Sequence, residues 1–183
     1  MRNIIASLFM SLDGVVEAPD KWQFDHFDAE MASALGSYIA KEDTVLLGRV
    51  TYQEWVSYWP TASDEPYASH INNVRKYVVS TTLDRVEWNN ASLIRGNLAR
   101  EVDRLKQQPG KNIGVAGSPT LVRTMLQEGL LDQLSLLIHP VIVGSGERLF
   151  EDWSDLRRLV LVDSSTTSTG VAILTYQPRE RAR

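Results

Sequence analysis

Short apolar runs alternate along this chain with stretches in which apolar residues recur every three or four positions. Residues 4–12 and 44–47 form largely apolar runs, which are typical of strands covered on both faces. Between them, apolar residues at three- and four-residue spacing predict a helix over about 27–40. A strand, a helix and a second strand in this order predict an α/β fold.

The same alternation continues to the end of the chain. The further predicted helices span 49–56, 65–73, 98–107 and 119–127, and the further predicted strands span 76–80, 92–95, 112–116 and 133–143. Two last strands, at 156–165 and 170–177, have no helix between them and therefore predict an antiparallel pair. We expect a mixed, mostly parallel sheet flanked by helices.

The composition is that of a globular protein, and it narrows the possible chemistry. The chain has 183 residues, of which 43% are hydrophobic and 23% charged, enough for one domain with a full core. It contains no cysteine, which excludes disulfides, thiolate metal sites and cysteine nucleophiles. We predict one domain over residues 1–177 and a basic tail over 178–183, which we expect to be disordered.

Charge and hydropathy argue against two classes of partner. A net charge of −4 does not provide the basic face of a nucleic-acid-binding protein. The apolar run at 4–12 is about half the length of a membrane span, and no signal-peptide cleavage site follows it. We therefore predict a cytoplasmic protein that binds neither nucleic acid nor membrane.

Two segments share one layout, in which a buried strand ends at a glycine and a helix begins. They are 46–52, which contains Gly48, and 115–120, which contains Gly117 and Ser118. A helix N-terminus presents unpaired N–H groups that can hold a phosphate, and ligands of α/β sheets bind at the carboxyl ends of strands. The two turns are therefore predicted to face one diphosphate; the alternative is that each is only a capped turn. Neither segment is a GxGxxG or P-loop motif.

Five motifs occur in a fixed order along the chain. They are LDG at 12–14, LLGRVTY at 46–52, VVS at 78–80, VAGS at 115–118, and HPVIVGSG at 139–146 with LF at 149–150. Together they resemble the RibD C-terminal-like branch of the dihydrofolate reductase superfamily, over about residues 2–177. The resemblance implies an eight-stranded sheet, a homodimer, and NADPH bound across the strand ends, with NADH as a possible substitute.

The same resemblance assigns the cofactor-binding residues. It places the strand that begins at Ile4 beside the nicotinamide and the substrate pocket. The cofactor's phosphates, including the 2′-phosphate near Ser80, would be bound by Gly48, Arg49, Thr51, Ser80, Gly117 and Ser118. Two positions depart from the family pattern: Ala116 stands where a second glycine is common, and Thr81 stands where an arginine is frequent. Without that arginine, Arg49 is the remaining cation for a 2′-phosphate.

A reductase also needs a proton donor, for which a carboxylic acid with a raised pKa is suited. Asp13, Glu17, Asp25 and Asp28 lie close in sequence to the end of the first strand. Folate-reducing relatives carry the acid on the helix after the first loop, which favours Asp25 or Asp28. The alternatives are that Asp13 caps a turn and that Asp25 and Asp28 cap a helix.

The aromatic and histidine residues are candidates for more general roles than the glycines and carboxylates. Trp22, Phe24 and Trp55, with Tyr58 and Trp59, are candidates to line a pocket for a flat heterocycle; core packing or a dimer interface is the alternative. His26, His70 and His139 are far apart in sequence without metal-ligand spacing, so we predict no metal site. We expect His139, inside an apolar strand, to be a buried histidine with hydrogen-bond partners.

The sequence therefore predicts an NADPH-dependent reductase acting on a small heterocyclic or ribosyl-type substrate. A ribosylamino-pyrimidine of the kind reduced in riboflavin synthesis is one candidate. A non-catalytic nucleotide-binding or dimeric interaction protein with the same fold is the alternative function. We expect the strand segment at 138–143 to help form the dimer.

Overall fold

The structure, a computed structural model, describes residues 1–179. The strands are β1 (Ile4–Ser11), β2 (Glu42–Gly48), β3 (Arg75–Val79), β4 (Ala91–Ile94), β5 (Asn112–Val115), β6 (Gln133–His139), β7 (Leu159–Thr166) and β8 (Ala172–Pro178). The helices are α1 (Ala29–Ala40), α2 (Arg49–Tyr58), α3 (Tyr67–Asn73), α4 (Leu98–Gln107) and α5 (Pro119–Gln127). Short 3₁₀ turns occur at Pro19–Lys21, Phe24–His26 and Trp59–Thr61.

All eight strands belong to one sheet, in the order β4–β3–β2–β5–β1–β6–β8–β7. The strands from β4 to β6 in this order pair in parallel, while β8 runs antiparallel to both β6 and β7. The predicted mixed, mostly parallel sheet is therefore confirmed, including its antiparallel final pair.

Helices cover both faces of the sheet, and the side-chain alternation of each strand distributes residues between the two. Leu46 of β2 packs in the same cluster as α4 and α5 residues, whereas its neighbours Val45 and Leu47 pack with residues of α2 and α3. Helix α1 covers the β6 and β8 part of that second face, where Met31 packs on Leu137. The central strands are thus buried on both sides, which accounts for their apolar runs.

Several predicted boundaries shift for local reasons. Strand β6 ends at His139 instead of residue 143, because Pro140 has no N–H and Val141 N turns back to donate to the carbonyl oxygen of His139 at 2.8 Å. Helix α1 begins at Ala29, because Asp28 caps it by accepting from Met31 N. Strand β8 continues to Pro178, and Arg179 N donates to the carbonyl oxygen of Arg158 at 3.0 Å. Residues 180–183, most of the predicted tail, lie outside the described residues.

The predicted dimer contact over residues 138–143 stays a prediction, and β6 cannot make it by strand pairing. Strand β6 is hydrogen-bonded to β1 on one side and to β8 on the other, so it has no free edge. The open edges of the sheet are β4 and β7, and seven of the eight residues of β7 are exposed. The homodimer itself stays a prediction.

None of the helices among residues 1–179 combines the length and the apolarity that crossing a bilayer requires.

Candidate active site

The parallel strands bring the sequence motifs to one edge of the sheet. Gly48 closes β2, Ser80 follows β3, Gly117 follows β5 and His139 closes β6. In the β1–β6 register, Ser11 lies opposite His139. Carboxyl ends of parallel strands are where α/β sheets bind ligands, so this edge is the candidate site.

The turns at Gly48 and Gly117 are in direct contact. The backbone N–H of Gly48 donates to the carbonyl oxygen of Gly117 at 2.7 Å. A Cβ atom on Gly48 would lie 2.8 Å from Ser118 N and would overlap Ser118 Oγ. The two turns therefore approach each other so closely that only glycine fits at position 48.

The N-termini of α2 and α5 meet at this contact. No side chain caps α2, so the N–H groups of its first turn have no side-chain acceptor. Ser118 caps α5 by accepting from Leu121 N at 3.4 Å. Two positive helix ends at one point form a favourable place for an anion.

Gly117 and Thr51 complete the walls of this cradle. Gly117 has φ +127, and a Cβ there would lie 2.8 Å from the Oγ1 atom of the buried Thr51. Ala116 is not among the residues with a positive φ, so its methyl group is accommodated without backbone strain. The departure from the family's second glycine leaves the turn intact.

Arg49 and Ser80, two further candidate cofactor ligands, both form hydrogen bonds within the chain. Arg49 is exposed, and its guanidinium donates to Gln53 Oε1 at 2.9 Å. The hydroxyl oxygen of Ser80 accepts from the backbone N–H groups of Thr82 and Leu83, each at 3.1 Å. Arg49 can therefore swing to a ligand at little cost, whereas the Ser80 hydroxyl already stabilises its own turn.

Asp13 joins the end of β1 to a later turn. Its carboxylate accepts from Ser11 Oγ at 2.7 Å, Val143 N at 3.0 Å and Gly144 N at 2.9 Å, and it pairs with Arg148 at 3.3 Å. These hydrogen bonds, the one from Ser11 foremost, hold the pKa of Asp13 well below its usual range. An ionised carboxylate in this position suits a structural role better than proton donation.

Asp28 and Asp25 differ in their surroundings. Asp28 accepts from Met31 N and from the hydroxyl of Thr169, both at 2.8 Å, and these contacts, Met31 first, lower its pKa. Asp28 is thus the N-cap of α1 and also ties α1 to the chain before β8. Asp25 is exposed in the turn Phe24–His26, where solvent reaches its carboxyl group.

The aromatic candidates separate into two groups. Trp22 packs edge-on against His139, with ring centroids 5.4 Å apart, and Phe24 lies exposed in the same loop. Trp55 instead packs on Trp59 and Tyr67 over β2, at 5.9 and 6.0 Å. Since β2 and β6 are three strand spacings apart, about 14 Å, Trp55 is a core residue and not a neighbour of Trp22.

The structure brings His26 and His139 together, which the sequence did not predict. Their ring centroids are 6.1 Å apart, and the ring of Phe9 lies 5.6 Å from that of His139. His139 is fully buried, yet neither of its ring nitrogens has a hydrogen-bond partner among residues 1–179. The expectation of a partnered histidine is therefore wrong. The signal in the sequence was a histidine at the strand end that faces the site.

Burial, together with the neighbouring His26, lowers the pKa of His139 to about 4. His139 is thus a neutral imidazole at physiological pH. Within the described residues, no three His, Asp or Glu side chains are grouped closely enough to hold a metal ion.

Comparison with known proteins identifies the family. The sequence profile described as RibD C-terminal domain matches residues 2–173. The chain belongs to the RibD C-terminal domain family. The Bacillus subtilis (strain 168) relative "Uncharacterized protein YyaP" is 32% identical over 179 residues, covering 96% of this chain and 94% of YyaP.

Solved structures share the fold at low identity. A Shewanella sp. PV-4 protein whose name refers to riboflavin biosynthesis aligns with a TM-score of 0.77 and 20% identity, covering 97% of this chain and 99% of its own. Dihydrofolate reductase from Enterococcus faecalis, in complex with NADP(H) and RAB-propyl, aligns with a TM-score of 0.63 and 16% identity, covering 97% of both chains.

A Thermotoga maritima protein named for a deaminase and a reductase activity also shares the fold. It is named diaminohydroxyphosphoribosylaminopyrimidine deaminase/5-amino-6-(5-phosphoribosylamino)uracil reductase and aligns at 13% identity with a TM-score of 0.68. The alignment covers 97% of this chain but 57% of the Thermotoga chain. The predicted resemblance and its dihydrofolate-reductase-like fold are therefore confirmed.

Proposed function

We propose that this protein is an NADPH-dependent reductase that transfers a hydride to a small heterocyclic or ribosyl-type substrate. The observation that carries the proposal is the contact between Gly48 and Gly117, at which the N-termini of α2 and α5 converge. A dinucleotide's diphosphate is the anion that such a paired cradle would suit. The Enterococcus dihydrofolate reductase, which has the same fold, was solved with NADP(H).

The residues present fit such a cofactor. The first turn of α2 offers free N–H groups, and the absence of a Cβ at Gly48 and Gly117 leaves the backbone open to a close ligand. Arg49, exposed beside this turn, would bind the 2′-phosphate and thereby favour NADPH over NADH. The bound cofactor would supply the hydride, and the chain would hold it in place, exclude water and provide the proton.

Of Asp13, Asp25 and Asp28, Asp25 fits best as the proton donor. Asp13 and Asp28 are held ionised by backbone and hydroxyl donors, so each would release a proton far below physiological pH. The Asp25 carboxylate has no such hydrogen-bond donors among residues 1–179. Asp25 also shares a 3₁₀ turn with His26, which contacts His139. We place the proton transfer at Asp25 Oδ or at a water molecule that it orients.

Cofactor binding is the first test. NADPH at about 100 times its Kd should stabilise the folded chain by about 2.7 kcal/mol, measured as an increase in Tm and in the free energy of unfolding. Arg49→Gln should weaken NADPH binding while leaving NADH binding unchanged, because NADH lacks the 2′-phosphate. Absence of any shift with either cofactor would overturn the proposal.

The alternative, a nucleotide-binding protein without catalysis, is favoured by one observation. Asp13 and Asp28, the two candidate acids held by the surrounding structure, are both in the wrong ionisation state for proton donation. The two functions differ in turnover: a reductase oxidises NADPH in the presence of a carbonyl, imine or pteridine substrate, whereas the alternative binds NADPH and oxidises none.

A further inference from the structure

Buried polar atoms without partners occur at the carboxyl end of β6 and in the segment that covers it. They are both ring nitrogens of His139, Nδ1 of His26 and Oε1 of Gln23, and none has a hydrogen-bond partner among residues 1–179. Buried polar groups are nearly always paired, because an unpaired one costs about 1–3 kcal/mol. Three such atoms on two neighbouring histidine rings, with a fourth in the same covering segment, therefore indicate that something else binds there.

The segment that covers these atoms, residues 18–27, is called the flap from here on. None of its residues is fully buried, and its backbone hydrogen bonds, such as Gln23 N to Pro19 O at 2.9 Å, connect flap residues to each other. The hydroxyl of Thr169, whose one proton is shared with the Asp28 carboxylate at 2.8 Å, lies 3.1 Å from the carbonyl oxygen of His26 and links the flap to the body of the protein. Few buried contacts and local hydrogen bonds are the properties of a segment that opens at low free-energy cost.

The atoms under the flap define the chemistry of a ligand. A neutral imidazole has one N–H donor and one acceptor nitrogen, and the oxygen of Gln23 adds an acceptor. The rings of Phe9 and Trp22 pack around His139, so a flat group would pack best against it once the flap has opened. The four unpartnered atoms belong to imidazole and amide groups and not to a carboxylate, ammonium or guanidinium group, so an ionic group placed against them would lose its hydration without an opposite charge to compensate.

The position agrees with a substrate subsite. His139 and the cradle at Gly117 lie at the ends of β6 and β5, on either side of β1, so they are two strand spacings or about 10 Å apart. A dinucleotide held by its diphosphate at the cradle can extend along this edge of the sheet toward β1. The group next to His139 would then be the one that receives the hydride.

We propose that His139, with Gln23 and His26 of the flap, anchors the substrate by hydrogen bonds to a neutral, planar group that has adjoining donor and acceptor atoms, as in a cyclic amide. The flap must lift to admit this group and then closes over it. This proposal rests on the proposed reductase function, because it assigns the subsite to the substrate of that reaction.

Two small probes test the hydrogen-bonding requirement directly. 2-Pyridone is a planar cyclic amide with adjoining N–H and C=O groups, and N-methyl-2-pyridone keeps the ring and the carbonyl group but has a methyl group in place of the donor hydrogen. With ¹⁵N-labelled full-length protein and saturating NADPH, 2-pyridone should shift the imidazole nitrogen signals of His139. It should also bind about tenfold more tightly than its N-methyl analogue, which is the effect of one buried hydrogen bond.

Two variants separate recognition from folding. His139→Phe keeps an aromatic ring and should abolish the preference for 2-pyridone, while NADPH still raises its Tm as in the wild type. Gln23→Leu changes only the partly exposed flap and should reduce the preference without affecting the core. Equal binding of both probes to the wild type, or unshifted His139 nitrogens, would mean a hydrated histidine pair only and would overturn the inference.

The probe titration is repeated without NADPH so that the two proposals fail separately. Loss of NADPH binding with the 2-pyridone preference retained would contradict the reductase but leave the subsite. NADPH binding with no preference between the probes would contradict the subsite alone.

Discussion

The backbone N–H of Gly48 lies 2.7 Å from the carbonyl oxygen of Gly117, so two turns that are far apart in the sequence form one unit. The unit joins the ends of β2 and β5, which are neighbours in the sheet although two strands and three α-helices lie between them in the chain. Parallel pairing thereby aligns two helix N-termini on the same point, which neither turn achieves alone.

Gly48→Ala tests the closeness of these turns. The added methyl group would overlap Ser118, so we expect the free energy of unfolding to fall by about 1–3 kcal/mol and NADPH affinity to fall at least about tenfold. The matched control is Gly36→Ala in α1, where a Cβ meets nothing within 4 Å. That change should raise stability by about 0.5–1 kcal/mol. Wild-type NADPH affinity in the Gly48 variant would contradict the shared cradle.

His139 should make stability depend on pH below neutrality. Its folded pKa of about 4 lies below the usual 6.5, so the unfolded chain binds more protons between these values and stability falls as pH falls from 6.5 to 4. The full effect is about 3 kcal/mol, which is the free energy of the pKa difference.

Denaturant unfolding at several pH values, in the wild type and in His139→Phe, isolates this contribution. The difference between the two proteins should change across that window and stay constant above pH 7. Carboxylates such as Asp43, whose pKa is lowered, contribute equally to both proteins and cancel. A difference independent of pH would show that His139 titrates as in the unfolded chain.

Asp13 and Asp25 should respond to substitution in opposite ways. Asp13→Asn replaces the charged carboxylate that accepts from Val143 N and Gly144 N by a neutral amide, so we expect a lower Tm. Asp25→Asn, in an exposed turn, should leave the Tm unchanged but reduce turnover in any assay that detects NADPH oxidation. Turnover unaffected by Asp25→Asn, with NADPH still bound, would assign the proton donor elsewhere.

Lys76 is a buried lysine whose role is structural. Its Nζ donates to the carbonyl oxygens of Ile71 at 2.7 Å and Val74 at 2.9 Å, at the end of α3. Lys76→Met would leave these oxygens unpaired and should lower the free energy of unfolding by about 1–3 kcal/mol. Lys111→Met is the matched control, since exposed Lys111 donates to Ala40 O at 2.8 Å. That change should cost less than about 0.5 kcal/mol in urea unfolding.

The sheet was predictable because its central strands are buried on both faces. The runs at β1 and β2 are apolar whatever their neighbours are; Gly48 closes β2, and Gly14 lies in the turn after β1. The caps at Asp28 and Ser118 follow from local hydrogen bonding, which depends on a few adjacent residues. The end of β6 could not be predicted, because it depends on a turn at residues 139–141 that lies inside an apolar run.

The site was predictable only where it is local. Gly48 and Gly117 could be identified from the sequence because each is a strand-to-helix turn, but the contact between them depends on strand order. The meeting of His26 with His139 depends on how the flap folds, and the flap has no periodic pattern that reveals it. The packing of Trp55 on Trp59 and Tyr67 could not be predicted, because an aromatic residue in a core and one in a pocket look alike in a sequence.

The closed flap has a kinetic consequence. Because His139, Gln23 Oε1 and His26 Nδ1 are covered before any ligand arrives, encounter alone cannot complete binding. The observed association rate should therefore level off at high ligand concentration, at the rate at which residues 18–27 open. The Thr169 hydroxyl holds that segment by its contact with His26, so removing it should speed opening and raise the plateau of the association rate. The slope of the rate at low ligand concentration should still depend on the equilibrium between the closed and the open segment.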